Sequence, residues 1–548
     1  MTGRIAGTVS YLPTNSPPPH LAHPVKRPGT TRTRIRLIAA AVAALNLVAP
    51  SSAATPSKPA TSFTKQANQQ VLQELPFADK QDFEDAQRGL IVREDVVTIK
   101  DARGNVVWGL EQYKKYIGLD KAAPDTVNPS LWRNAQLNLL NGLFKVTNRI
   151  YQVRGYDLSN ITFVHGDAGW IVFDPLIPPE TARAGLELIN NTLGKRPVVA
   201  VVYSHSHVDH YGGVRGIVDA RDVAAGKVQI LAPEQFTEHA VSENVIAGNA
   251  IARGAIYMCG TLLPRNAQGG VNGGLGMTTS AGLAGLILPT REIRTTGEEV
   301  TIDGVRMVFQ MTPGTEAPAE MNTWFPQLKA LSMAENATNT MYNILTLRGA
   351  QVRDALKWSY FLNETIESWG GDVEVKFQSH HWPRWGNTNV VDYFKKQRDL
   401  YKYTHDQSVR LMNQGYTGEE ISEMIRLPAE LNNFWPNRGH YGTLRHNSRA
   451  VCQRYMGWYN GNPSNLNNLP PEMVGPKYVE FMGGEAALLK KARASFDQGE
   501  YRWVAEVMKH AVFANAKKTQ AKELLADTLE QLGYQAETWP MEFLVMRR

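Results

Sequence analysis

The apolar run Val198-Val199-Ala200-Val201-Val202-Tyr203 stops abruptly at Ser204-His205-Ser206-His207-Val208-Asp209-His210. Its β-branched content predicts a short buried strand. Three imidazoles and a carboxylate then follow within six residues. Packing gives no reason for such a cluster, because burying polar groups without partners costs roughly 1–3 kcal/mol each. Borderline nitrogen donors and one hard oxygen donor, aimed from a turn at one point, are what a two-metal hydrolytic site requires. An isolated His-x-His would say little. The full H-x-H-x-D-H pattern predicts a metal centre.

At 548 residues the chain exceeds one ordinary core, so two or three domains are expected. The formal charge of +6 suggests an acidic partner only until its distribution is read. Residues 1–54 hold Arg4, Lys26, Arg27, Arg32, Arg34 and Arg36 and no acid, which leaves the rest of the chain formally neutral. Nucleic-acid binding therefore has no electrostatic motive. The basic stretch runs into apolar Leu37 to Ala49 and then Ser51-Ser52-Ala53-Ala54. This is the layout of a secretory signal over 32–54, so residues 1–54 are expected to be a leader and the protein to be secreted or periplasmic. The apolar part is too short for a stable membrane span. Cys259 and Cys452 leave room for one disulfide but for no disulfide framework, and their spacing makes them unsuitable as metal ligands.

Residues 55–145 read as a connecting, partly helical preamble. Beyond 146 the pattern changes to short apolar runs between polar turns, with strands expected at 161–164, 170–173, 198–202, 228–231, 306–309 and 373–377. A helix over 180–193 lies between two of them, which indicates an α/β layered fold. The Gly-rich segment 269–276 lacks the strand, helix and Lys-Ser/Thr that a phosphate loop needs, and is expected to be a surface or active-site loop. From 388 the chain turns helical, with helices expected at 392–401, 418–425, 485–497, 501–514 and 519–532, the last three spaced like stacked hairpins.

Two metals need more ligands than one turn supplies, and three further places qualify. Thr312-Pro313-Gly314-Thr315-Glu316 ends one strand, Ala330 to Ala334 ends in Glu335, and a third strand ends in Ser379-His380-His381. Open α/β sheets gather such ends on one rim. Glu316 competes with Glu320, and the Pro-Gly turn favours Glu316. Only one of His380 and His381 can face the metals if the pleat continues.

The segments S-H-S-H-V-D-H-Y-G-G, T-P-G-T-E-A-P-A-E-M-N, M-A-E-N-A-T-N-T-M-Y-N-I-L-T-L-R-G-A-Q-V-R-D and S-H-H-W-P-R-W-G together resemble the alkyl sulfatases of the metallo-β-lactamase superfamily, enzymes that hydrolyse dodecyl sulfate and related esters. The resemblance covers roughly residues 70–535. It implies an α/β fold, a metallo-β-lactamase αββα sandwich over 55–387, followed by an α-helical dimerisation domain over 388–536. A divergent tail over 537–548 would stand where the family continues into a lipid-carrier-like domain. The same resemblance implies two Zn2+ per chain, one held by His205 and His207 with a glutamate, the other by Asp209, His210 and His380. Glu316 and Glu335 would supply the remaining carboxylates, one bridging. Asn343, Arg348 and Arg353 match residues that hold the sulfate, as a planar donor fork suits a tetrahedral oxyanion; otherwise these arginines would lie on a solvated helix face. Family members often carry histidines where Asn339 and Tyr342 stand, which implies altered pocket or leaving-group chemistry.

The implied reaction is attack by a metal-activated water on an alkyl sulfate, with Asp209 catalytic through its metal and His446 as a candidate acid near the leaving oxygen. A homodimer acting on a small-molecule alkyl sulfate is the expected form. Rival hydrolases on this fold are thioesterases, lactonases and β-lactamases. A diiron oxidoreductase would favour a carboxylate where His207 stands and would need a flavin domain. A catalytically inactive binding protein would have lost ligands.

Overall fold

A computed structural model describes residues 57–538 other than 96 and 518, so the expected leader and the tail Trp539 to Arg548 lie outside the described residues. Strand alternation sets the layers. In Trp170–Phe173, Ile171 and Phe173 point one way and Trp170 and Val172 the other; in the neighbouring Val198–Val202, Ala200 and Val202 oppose Val201. Both strands are buried on both faces, which accounts for their unbroken apolar sequences.

They lie in an eight-stranded sheet ordered Leu90–Val92, Gly142–Thr147, Ile150–Arg154, Ile161–His165, Trp170–Phe173, Val198–Val202, Gln229–Pro233 and Arg291–Ile293. The first five strands are antiparallel and the last four run parallel, Trp170–Phe173 belonging to both sets. A six-stranded sheet follows: Glu299–Ile302, Val305–Met311, Met321–Phe325, Ala330–Ser332, Val375–Phe377 and Arg384–Trp385. Ile171, Phe173, Ala200, Val202 and Leu231 of the first sheet meet Met307, Phe309, Phe325, Ala330 and Phe377 of the second in one core. The outer face of the first sheet is covered by helix Pro179–Leu193, which buries Ala182, Leu188 and Ile189. The outer face of the second is covered by Ala355–Trp369, Asn387–Met412 and Leu444–Met456, through Trp358, Leu362, Tyr393, Phe394, Tyr401 and Val451. The result is the αββα sandwich.

Several expectations change here. The stretch 55–145 is structural rather than connecting: Leu90–Val92 joins the first sheet, and the buried Arg133 pairs with Asp82 at 2.9 Å while Arg384 reaches the same carboxylate at 2.8 Å. Its first helix, Ser62–Glu74, packs on the far end of the chain against Thr519–Gln535. There Thr64 donates to Gln531 at 2.8 Å and Asn68 to the Tyr534 carbonyl at 3.1 Å. The helical region likewise does not begin as a separate body at 388, because Asn387–Met412 is a layer of the sandwich. A core of their own is formed by Pro471–Phe481, Glu485–Phe496, Tyr501–Ala514 and Thr519–Gln535, around Leu488, Val504, Met508 and Leu524. Both cysteines are free thiols, so no disulfide forms. The Gly-rich segment is buried rather than a surface loop: Asn138 donates to Asn272 at 3.1 Å, and a Cβ at Gly276 would stand 2.3 Å from the Leu158 carbonyl. Among the described residues no helix is long and apolar enough to cross a membrane.

Candidate metal centre

Each candidate ligand hangs from a strand end, and the two stacked sheets present those ends at one place instead of along one rim. His205 follows Val198–Val202 and pairs as an isolated antiparallel bridge with Glu320, which links the sheets locally. Asp174, directly after Trp170–Phe173, accepts from the Ser204 amide at 2.8 Å, the Ser204 hydroxyl at 2.7 Å and the Ser379 hydroxyl at 2.6 Å, and lies 3.3 Å from His210 Nδ1. One buried carboxylate thereby clasps the chain ahead of both histidine segments. Asp174, Ala334 and His381 all adopt left-handed backbone, at φ 54°, 46° and 64°. Such conformations are uncommon outside glycine and persist where the surroundings enforce them. Here they aim the segments that carry His205, Glu335 and His380.

The side chains converge as two groups sharing one residue. His205, His207, Glu316 and Glu335 offer ligand atoms within 4.8 Å of one another, and so do Asp209, His210, Glu335 and His380. Glu316 Oε2 is 2.8 Å from His207 Nδ1 and 3.6 Å from His205 Nε2. Glu335 Oε1 lies 2.7 Å from His210 Nε2, 2.6 Å from His380 Nε2 and 3.6 Å from His205 Nε2. Asp209 Oδ2 stands 3.1 Å from His210 Nε2 and 3.5 Å from His380 Nε2. Buried His205 Nε2, His210 Nε2 and Glu316 Oε2 have no hydrogen-bond partner.

The electrostatics agree. Burial, reinforced by His210, drives His205 well below the usual imidazole range and leaves a lone pair available. Burial also pulls His207 and His380 down. It is outweighed by Glu316 and Glu243 at the first and by Glu335 and Asp209 at the second, which lift both to about 9. Three carboxylates in one buried spot demand positive charge. With unpartnered nitrogen and oxygen donors beside them, the residues present fit metal cations.

The surroundings of these candidate ligands set apart the members of the two pairs that the sequence left in competition. Glu320 accepts from the Glu316 and Ala317 amides, both at 3.1 Å, from the Thr315 hydroxyl at 2.9 Å and from the Glu335 amide at 3.1 Å. It therefore shapes the two loops that carry Glu316 and Glu335 and offers no ligand atom to either group. Burial, with Glu316 and Glu335 nearby, pushes its carboxyl up to about 8. His380 faces the cluster through Nε2, with Nδ1 at 3.1 Å from the Leu158 carbonyl. His381 turns away, its Nε2 at 2.8 Å from the Gly274 carbonyl and its Nδ1 accepting from the Asn339 amide at 3.2 Å.

Beside Glu316 and His207 opens a cavity of about 800 Å3, lined also by Arg348, Arg353 and the helices Phe236–Val245 and Gly248–Met258. The arginines are not on a solvated helix face, since 347–354 is irregular chain leading into Ala355–Trp369. Arg353 is buried and grips Glu316 through both its side chain and its carbonyl, the latter at 2.5 Å, and donates to Asn343 Oδ1. Asn343 in turn donates to the Tyr441 carbonyl at 2.9 Å. Arg348 pairs with Glu243. A Cβ at Gly254 would meet the Arg348 carbonyl at 2.7 Å, so this glycine permits the close approach. Tyr342 donates its hydroxyl to Glu335, and Asn339 donates to the Trp382 carbonyl at 2.8 Å. His446 has a different setting from the one expected. It lies outside both groups and outside the cavity lining, its Nδ1 bonded to the Thr443 hydroxyl at 2.6 Å. Burial with Arg449 and Arg445 holds it near 4, so the ring is neutral and ill suited to donate a proton. Sequence reasoning missed Asp174, the structural task of Glu320, and Glu243. Only Asp174 carried a signal, an acid ending a strand like the ligands themselves.

Residues 154–315 match the metallo-beta-lactamase superfamily and residues 417–545 the alkyl sulfatase dimerisation family. A linear primary-alkylsulfatase of Pseudomonas sp is 52% identical over 488 residues, covering 89% of this chain and 72% of the relative. The chain belongs to the alkylsulfatase family. Within that family an (R)-specific secondary-alkylsulfatase of Pseudomonas sp is 47% identical, over 93% of this chain and 77% of its own. An alkyl/aryl-sulfatase of Saccharomyces cerevisiae is 48% identical, over 88% and 75%. The solved structure of a stereoselective inverting sec-alkylsulfatase from Pseudomonas sp. superposes with a TM-score of 0.88 at 48% identity, covering 90% of this alkylsulfatase-family chain and 77% of that one.

Proposed function

We propose that the protein hydrolyses alkyl sulfate esters of the dodecyl sulfate type to alcohol and sulfate, using two zinc ions. The observation that carries this reading is Glu335, shared between two buried His/carboxylate groups beside an arginine-bearing cavity, in a chain of the alkylsulfatase family. His205, His207, Glu316 and Glu335 would hold one ion, and Asp209, His210, His380 and Glu335 the other. Bound there, the ions supply Lewis acidity that makes hydroxide available from water near neutral pH. The remaining work belongs to side chains. Arg348 and Arg353 orient the sulfate, each exchanging a carboxylate partner for sulfate oxygens, and Asn343 holds Arg353 in place. Tyr342 and Glu320 fix Glu335 from behind through its second oxygen and its amide. Ile246, Ala250 and Ile251 offer the alkyl chain an apolar wall, worth about 0.8 kcal/mol per buried CH2. Sulfate is a good leaving group, so no dedicated acid is required. Metal content measured together with sulfate release from dodecyl sulfate tests the reading, and a protein expressed with zinc yet free of metal would overturn it.

Two further proposals accompany it. The helices from 417 onward pair two chains, a reading supported by the match to the dimerisation family and by exposed Trp458, Phe481 and Trp503. A light-scattering mass near 60.9 kDa at micromolar concentration would contradict it. Export is proposed from the basic-then-apolar order of residues 1–54, and a protein retained in the cytoplasm with that segment uncleaved would contradict it.

A further inference from the structure

Helix Phe236–Val245 brings one carboxylate into the cavity. Glu243 is 15% exposed, pairs through Oε1 with Arg348 and places Oε2 3.5 Å from His207 Nε2. Two other ion pairs line the cavity, Arg353 with Glu316 and Arg454 with Asp354 at 2.8 Å, and Lys357 lines it as well. Glu243 differs from Glu316 and Asp354 in being neither a candidate ligand nor a helix cap; Asp354 caps Ala355–Trp369 by accepting from two amides. It is a negative charge placed where an anion has to bind, with one oxygen toward Arg348 and the other toward His207.

The reaction makes sense of that placement. R–O–SO3− and water give R–OH and HSO4−, which yields its proton to solvent and becomes SO42−. Substrate and product present the same tetrahedral face to the same arginines, but the product carries one more negative charge. Coulomb interaction is linear in ligand charge, so a fixed carboxylate opposes the dianion twice as strongly as the monoanion. Arg348, only 20% exposed, also needs a partner when sulfate departs, because a buried guanidinium left alone is costly. Glu243 provides it.

We propose that Glu243 is the product-expelling charge of the sulfate site: it disfavours bound sulfate relative to bound alkyl sulfate and takes Arg348 back as sulfate leaves. This rests on the reading that Arg348 holds the sulfate group.

The test uses zinc-loaded wild type and Glu243→Gln, with inorganic sulfate and the monoanion methanesulfonate titrated by calorimetry, and sulfate inhibition measured during dodecyl sulfate hydrolysis. Loss of the charge should tighten sulfate by about tenfold and methanesulfonate by about threefold, the square-root relation that linear Coulomb coupling requires. The inhibition constant for sulfate should fall with its dissociation constant. Glu243→Asp keeps the charge and should keep the wild-type ratio of the two affinities within about twofold. Equal changes for both anions, or none, would overturn the proposal, as would loss of zinc from Glu243→Gln, which would make the residue a support for His207. If Glu243→Gln does not accumulate, Glu243→Ala gives the same comparison. Normal anion binding without any sulfate release from dodecyl sulfate would overturn the functional reading alone, since the affinity ratio is read without turnover.

Discussion

On the metal side of the cavity every candidate ligand hangs from a strand end, and its backbone is pinned by a buried acid: Asp174 for the histidine turn, Glu320 for the loops of Glu316 and Glu335. On the opposite side Glu243 and Ile251 hang from two short helices and Ile246 from the turn between them, with Val245 52% and Ile246 84% exposed. One wall is fixed by hydrogen bonds in a buried interior, where misplacement leaves polar groups unpaired. The other is held by an ion pair and a few apolar contacts. Rigidity has been concentrated where atoms must be placed to a fraction of an ångström, and the wall that has only to enclose a flexible chain is built more loosely.

The largest effect should come from the residue that belongs to both groups. Glu335→Ala removes a candidate ligand from each and frees Tyr342, so bound metal should fall toward zero and turnover by at least ~10^3-fold. Asp209→Ala, which belongs to one group, should empty one site and leave the other occupied. Elemental analysis beside sulfate release separates these outcomes, and a Glu335→Ala protein with full metal would remove the bridging role.

Next is the rigidity of that wall. Asp174→Asn keeps the shape but cannot accept from both Ser204 groups and Ser379 while facing His210. A fall of about 10- to 100-fold in zinc affinity is expected, measured by competition with a chromogenic chelator. An unchanged affinity would mean that the strand ends hold the ligands without the clasp.

What could be read in the sequence follows the same division. His205, His207, Asp209, His210, Glu335 and His380 stood out because each ends or follows an apolar run, where packing offers polar groups no refuge. Both halves of the sandwich showed strands as short apolar runs for the same reason, at 161–164, 170–173 and 306–309, inside the observed Ile161–His165, Trp170–Phe173 and Val305–Met311. The hairpin joining Gly142–Thr147 to Ile150–Arg154 was missed because Arg149 supplies the left-handed turn residue, at φ 69°, where glycine would have advertised it. Glu243 was invisible, since an acid on a short amphipathic helix has the sequence of a solvated one. The docking of Ser62–Glu74 onto Thr519–Gln535 rests on pairs such as Thr64 with Gln531, which no local pattern encodes.

The arginines sit where the two walls meet, and they should differ. If Arg348 holds the sulfate, Arg348→Ala loses that contact but no partner of a candidate ligand, so metal content should hold while kcat/KM for alkyl sulfates weakens by ~2–4 kcal/mol. Arg353→Ala should cost a similar amount and also loosen zinc, because its guanidinium holds Glu316. Lysine at either position should rescue only partly, since a point charge cannot reproduce the fork. Unchanged kinetics in both single variants and the double variant would reject the sulfate pocket.

The smallest effect should come from the loose wall itself. Ile246 is almost wholly exposed yet lines the cavity, so Ile246→Ser removes apolar surface facing the bound chain while disturbing little of the fold. Stability should stay within about 0.5 kcal/mol of wild type, as for surface changes generally. For dodecyl sulfate the lost contact with a few methylenes should lower kcat/KM by about 2- to 5-fold, less than one full CH2 burial per contact because the site is open to water. A short ester such as butyl sulfate, with four carbons against twelve, should be hydrolysed as before if Ile246 faces only the far part of the longer chain. Melting curves and the ratio of the two kcat/KM values decide the matter. An equal loss on both esters would place Ile246 near the reacting end of the cavity, and a large drop in stability would show that this wall is as tightly built as the one that faces it.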